Sequence, residues 1–177
     1  MTIGASNVSA FIGTGGPYRT DGNGDLLLSS AKKLDGTDVD PIHPGAVGFV
    51  VDDLDLAVAI LTPAVAGTVL PIANNKFLAV KATANSVGFV GIDDFKLDAK
   101  DLEVNINHQD KLYRTAVDFA QTFPATSGTP TGLAVKTGTT TAPMYIDYGG
   151  DAITKASTSA AILEISEFVH VSGSFAI

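Results

Sequence analysis

The densest run of potential metal ligands in this chain is Asp21-Gly22-Asn23-Gly24-Asp25. Oxygen donors at alternate positions can converge on one hard cation, and the intervening glycines let the backbone curl around it. The spacing is that of the first half of a calcium loop of the D-x-N-x-D kind, but the second half departs from it. Leu26 stands where a glycine belongs, and Lys32 holds the twelfth position, where a bidentate glutamate closes such a loop. Asp38 and Asp40, with Asp35, would have to supply the missing ligands from the neighbouring loop. The expectation is a Ca²⁺ site built from Asp21, Asn23, Asp25, Asp38 and Asp40. Its alternative is a polar turn in which Asp and Asn cap their own backbone.

Other combinations point away from catalysis. Asp52-Asp53 and Asp93-Asp94 are paired carboxylates, which act as general acid and base only where their surroundings push the two proton affinities apart. They occupy equivalent places in a repeated phrase, and a residue that recurs with a repeat serves the fold, so turn or bulge positions are expected. His43, His108 and His170 have no metal-binding spacing. Ser172-Gly173-Ser174 lies in strand-like sequence without a neighbouring base, and no nucleophile elbow or phosphate-binding loop occurs. Gly13-Thr14-Gly15-Gly16 runs into Pro17 where a dinucleotide-binding turn would open a helix. Tyr145 and Tyr148, beside Asp147 and Asp151, form a candidate stacking site for a sugar face, or else an edge strand and turn. The chain is read as a non-enzyme.

The elements that must hold these residues are strands. Leu54, Leu56, Val58 and Ile60 alternate with Asp53, Asp55, Ala57 and Ala59, and Leu102, Val104 and Ile106 alternate with Glu103, Asn105 and Asn107. Alternation of this period marks strands with one buried face, here assigned to the larger aliphatic set. Phe95, Leu97 and Ala99 alternate in the same way. The stretch 161–177 reads as strand with a slip around Glu167, expected to be a bulge. Leu112, Ala116, Phe119, Ala120 and Phe123 fit either a helical stripe or an interrupted strand. Turn-rich segments at 13–25, 34–45, 62–75 and 122–132 read as insertions on a repetitive scaffold.

The repeat itself is explicit. Gly48-Phe49-Val50-Val51-Asp52-Asp53-Leu54-Asp55-Leu56-Ala57 returns forty positions later as Gly88-Phe89-Val90-Gly91-Ile92-Asp93-Asp94-Phe95-Lys96-Leu97-Asp98-Ala99, with a weaker echo at Ala10-Phe11-Ile12-Gly13. A period between about 20 and 50 residues is the mark of stacked supersecondary units. Composition agrees with a sheet core: 45% of residues are hydrophobic, 7% are aromatic and tryptophan is absent, leaving Val, Ile, Leu and Ala as the main filling. A net charge of −8 opposes nucleic-acid binding, which depends on Lys and Arg. The absence of cysteine removes disulfides and thiolate chemistry. No apolar run reaches the length of a membrane span, and membrane insertion is not expected. Charged residues make up only 17%, so short polar side chains dominate the surface and suggest an extracellular or cell-surface setting.

Thr2-Ile3-Gly4-Ala5-Ser6-Asn7-Val8-Ser9-Ala10-Phe11-Ile12-Gly13, Gly16-Pro17-Tyr18, Gly48-Phe49-Val50, Gly91-Ile92-Asp93 and Val169-His170-Val171-Ser172-Gly173-Ser174-Phe175-Ala176 resemble the long tandem repeats of giant bacterial surface or secreted proteins. The likeness touches most of the chain except residues 113–159. It implies a structural or adhesive role and brings no catalytic residues. On this reading the chain is one β-rich module over residues 1–177, excised from a longer tandem array. Its expected architecture is all-β, an elongated parallel β-solenoid or β-roll-like stack with loop insertions, and the alternative is an antiparallel β-sandwich. The expected function is a non-enzymatic structural repeat of an adhesin, matrix fibre or filament, stacking end to end on adjacent repeats or on further copies. The alternative is a calcium-dependent module that binds glycan or another surface.

Overall fold

A computed structural model describes residues 1–16, 18, 43, 45–62, 76–109 and 116–177. It is all-β, with strands β1 (Thr2–Thr14), β2 (Val47–Leu61), β3 (Phe77–Val90), β4 (Phe95–Gln109), β5 (Leu133–Val135), β6 (Met144–Ile146), β7 (Ile153–Ile165) and β8 (Val169–Ala176). One short helix, α1 (Phe119–Thr122), precedes β5. Six strands form one sheet in the order β1-β2-β3-β4-β7-β8, and β5 and β6 form a second, two-stranded sheet.

Neighbouring strands run in opposite directions. The Met1 amine donates to Ile60 O at 2.9 Å and Ile60 N–H returns a bond to Met1 O at 2.9 Å, so β1 begins where β2 ends. Ser166 N–H donates to Asp94 O at 2.5 Å, which ties the end of β7 to the start of β4. The β7–β8 register runs from Ile165↔Val169 to Ser157↔Ala176 in an antiparallel ladder.

This overturns the parallel solenoid and fits the antiparallel alternative. Parallel coils need a crossover after each strand, whereas tight reversals such as those at 91–94 and 166–168 give antiparallel neighbours. The repeated phrase is therefore folded in two ways. Its first copy lies inside β2, and its second spans the end of β3, a turn and the start of β4. Phe49 and Phe89 do meet, edge to face at 4.9 Å between centroids, but as cross-strand neighbours. The slip near Glu167 is a hairpin turn and not a bulge; the bulge lies between Thr158 and Ala161.

The chain divides into two compact units, one comprising Met1–Ser6, Leu56–Ala82 and Val104–Ala156, the other Asn7–Asp55, Thr83–Glu103 and Ser157–Ile177. In the first unit, Ala57, Ala59 and Ala79 line one sheet face beneath Phe119, Val135, Ile146 and Tyr148, all of them buried. Small residues on the strands leave room for large ones from the covering layer, as close packing requires. The buried phase is thus the reverse of the expected one: Ala57 and Ala59 are fully covered, while Leu56, Val58 and Ile60 are half-buried. The same inversion holds in β4, where Asn105, Asn107 and Gln109 are buried.

The cause is visible in the hydrogen bonds. Asn107 Nδ2 lies 2.9 Å from Val117 O, 3.2 Å from Gly149 O and 3.4 Å from Asp151 O. These carbonyls belong to segments that carry no ladder of their own, and buried acceptors need donors. Asp118 caps α1 by accepting from Gln121 N–H at 2.7 Å, and Phe119 and Ala120 N–H both donate to Tyr148 O. Gly4 allows the covering layer to approach, since a Cβ there would strike the Lys136 carbonyl.

In the second unit, the described residues are the six-stranded sheet and its turns. Phe49, Phe89 and Phe95 form a row of edge-to-face contacts at 4.9 and 5.6 Å on one face. Leu163 lies opposite Val171 and Ile165 opposite Val169, so these four side chains share a face. The other alternate positions carry Asp52, whose Oδ2 accepts from Ser86 Oγ at 3.5 Å, and Glu164 opposite His170.

Candidate functional site

The residues of the expected Ca²⁺ site, Asp21, Asn23, Asp25, Asp38 and Asp40, lie outside the described residues. The tyrosine pair is described. Tyr148 is buried, and its hydroxyl bridges Asn105 Oδ1 at 2.6 Å and Val80 O at 2.7 Å. A ring used this way is not an open platform for a sugar. Tyr145 is half-buried in β6; its carbonyl accepts from Lys81 Nζ at 3.2 Å, and the same ammonium pairs with Asp147 at 2.8 Å. The surroundings of the two tyrosines are those of a core and its rim.

The structure brings together a different set of acids. Asp53, Asp55, Asp101 and Glu103, with Thr83, Asn85 and the neighbouring Ala84 and Leu102, line a cleft of about 380 Å³ in the second unit. Asp53 and Asp101 hold left-handed backbone conformations, with φ of 54° and 50°, in the middle of their strands. Aspartate tolerates this region better than most residues, because its short side chain can bond locally. Asp55 Oδ1 accepts from the N–H of Asn7, itself left-handed at φ 53°, and Asp101 Oδ2 accepts from Ser159 Oγ at 2.6 Å.

Part of the cleft's acidity is thus engaged in holding strands at irregular points. Among the described residues no three acidic, histidine or cysteine side chains converge to hold a metal ion. Asp53 holds its left-handed conformation within β2, and its counterpart Asp94 is also left-handed, at φ 58°, but sits in the turn before β4. His170 lies 3.8 Å from Glu164 as its cross-strand neighbour, and His108 contacts the Gln109 carbonyl at 3.0 Å. Neither belongs to a nucleophile–base pair in the described residues.

Sequence reasoning missed Asp55, Asp101 and Glu103 as members of one cleft, although a signal for Asp53 and Asp101 was present. The apolar alternation changes phase between Val51 and Leu54, and again between Ala99 and Leu102. A one-residue phase change inside a strand is what an inserted bulge residue produces. The left-handed residues stand at these two slips.

No protein-family model matches the chain, and no curated protein or solved structure matches it either. Among the described residues no helix is long and apolar enough to cross a membrane.

Proposed function

We propose that the chain is a non-enzymatic structural module of an extracellular or cell-surface protein, joined to adjacent repeats of its polypeptide or to further copies through the edges of its sheet. The observation that carries this reading is strand β8. It is an edge strand of eight residues, all of them exposed, and Val-His-Val-Ser-Gly-Ser-Phe-Ala contains no lysine, acidic residue or proline. Soluble proteins guard such edges with charge, proline or a covering segment, because unpaired N–H and C=O groups recruit other strands. An edge left without these guards suits strand addition. The other edge is β1, so joining β8 of one copy to β1 of the next is a heterologous contact that propagates. This replaces coil-on-coil stacking as the route to a fibre.

Light scattering across a concentration series tests it. The protein is expected to form assemblies larger than a dimer, and Ser172→Lys, which places a guard charge on β8, is expected to abolish them. A wild-type chain that never exceeds a dimer would remove the reading.

A calcium-dependent surface-binding module is the second reading, and the acid-lined cleft of the second unit is the feature that favours it. Titration calorimetry with Ca²⁺, and melting with and without chelator, are its measurements. At a ligand concentration 100 times the dissociation constant, binding adds about 2.7 kcal/mol to stability, which shifts the melting temperature by several degrees. No heat and an unchanged melting temperature would leave the carboxylates as strand-shaping residues only.

A further inference from the structure

We infer that the phenylalanine-bearing face of the second unit packs against the same face of a second copy of this chain. Large apolar side chains on this face are open to solvent: Phe49 is 47% exposed, Ile165 43%, Val169 37%, Val171 44% and Phe175 50%. They share one surface with the Phe49–Phe89–Phe95 ring contacts. Opposite residues of antiparallel strands point to the same side, and the Ser166–Asp94 backbone bond aligns Ile165 and Leu163 with Phe95 and Leu97. By alternation along the strands, Asp52, Lys96, Asp98, Lys100, Glu164 and His170 point away from the rings.

The size of the face argues for a second copy. Six strands about 4.8 Å apart, each contributing about eight residues at about 3.3 Å of rise, give roughly 24 by 26 Å, or about 600 Å². That is the upper end of the largest apolar patch on an ordinary monomer, at about 300–600 Å². Two such faces together bury about 1,200 Å², the lower bound of a standard specific interface. Sheets packed face to face through interdigitating apolar side chains are a stable layer arrangement, about 10 Å apart.

Face packing and edge addition separate cleanly. Phe49 lies on β2, which is flanked by β1 on one side and β3 on the other, so no strand added at an edge can cover it. Face packing closes as a dimer, whereas joining unlike edges continues.

Sedimentation equilibrium of the full chain, in salt high enough to screen its net charge, is the test. In the Ser172→Lys background, which blocks edge addition, a monomer–dimer equilibrium is expected, and adding Phe49→Lys weakens it at least about tenfold. Circular dichroism and melting report whether the variants fold; should Phe49→Lys fail to fold, Ile165→Gln and Val171→Gln give the same reading from the far end of the face. A monomer at every concentration overturns the inference, whatever covers the face. A dimer that survives the face substitutions, or that Ser172→Lys alone dissolves, overturns it as well.

Discussion

At the scale of the residue, Asn107 most clearly decides local structure. Its side chain is completely buried in a β4 position that a simple alternation rule assigns to solvent, and its amide faces three backbone carbonyls from two separate segments. Its own Oδ1 has no hydrogen-bond partner among the described residues. Asn107→Leu keeps the volume and removes the donor, leaving three carbonyls without it. Chemical denaturation should report a loss of about 1–3 kcal/mol, the cost of stranding buried polar groups. Asn107→Asp should cost more, since it sets a carboxylate against three acceptors. A variant as stable as the parent would mean that the carbonyls find other donors. The inverted burial of Ala57, Ala59 and Asn107 was illegible in the sequence because alternation gives the phase of a strand and not the identity of what covers each side. Here the covering layer brings bulky groups, Phe119 and Ile146, and the strands answer with small ones. The two tyrosines differ for a related reason. Tyr148 lies two positions after the buried Ile146 and points the same way, into the core, whereas Tyr145 takes the opposite phase.

At the scale of the element, the long strands are shaped by residues with positive φ. Asn7 in β1, Asp53 in β2 and Asp101 in β4 each lie within a few residues of the point where their strand passes from one compact unit to the other. The left-handed region disfavours a β-branched side chain by roughly 1–2 kcal/mol and admits glycine freely. Asp53→Val should therefore lower the denaturation midpoint by an amount in that range, and Asp53→Gly should stay within about 0.5 kcal/mol of the parent. Equal losses for both would show that the carboxylate and not the backbone matters at this position. These irregular points could be read from the sequence as phase changes in the apolar pattern. Their carboxylates could not be placed in one cleft, because which strands are neighbours is not a local property. α1 was half-legible: the Phe119, Ala120 and Phe123 spacing admits a helix, and Asp118 supplies the cap that starts it.

At the scale of the whole molecule, the all-β class followed from alternation, but the direction of the strands did not. A period of two is common to parallel and antiparallel sheets, so the repeated phrase was free to suggest coils. The correcting feature lay within the second copy of that phrase, where Gly91 and Asp94, both at positive φ, turn the chain back between β3 and β4. Repetition of sequence here reflects two strands that need similar rings at one cross-strand position, Phe49 against Phe89, rather than two turns of a helix.

The order β1-β2-β3-β4-β7-β8 follows the order of synthesis, interrupted only by the excursion through α1, β5 and β6. Each long strand emerging from a ribosome therefore meets a partner that has already been made, and the connections are tight at β3–β4 and β7–β8. Within the six-stranded sheet β8 follows its neighbour β7 in the chain, so the edge it forms is exposed only after the other five strands have been made.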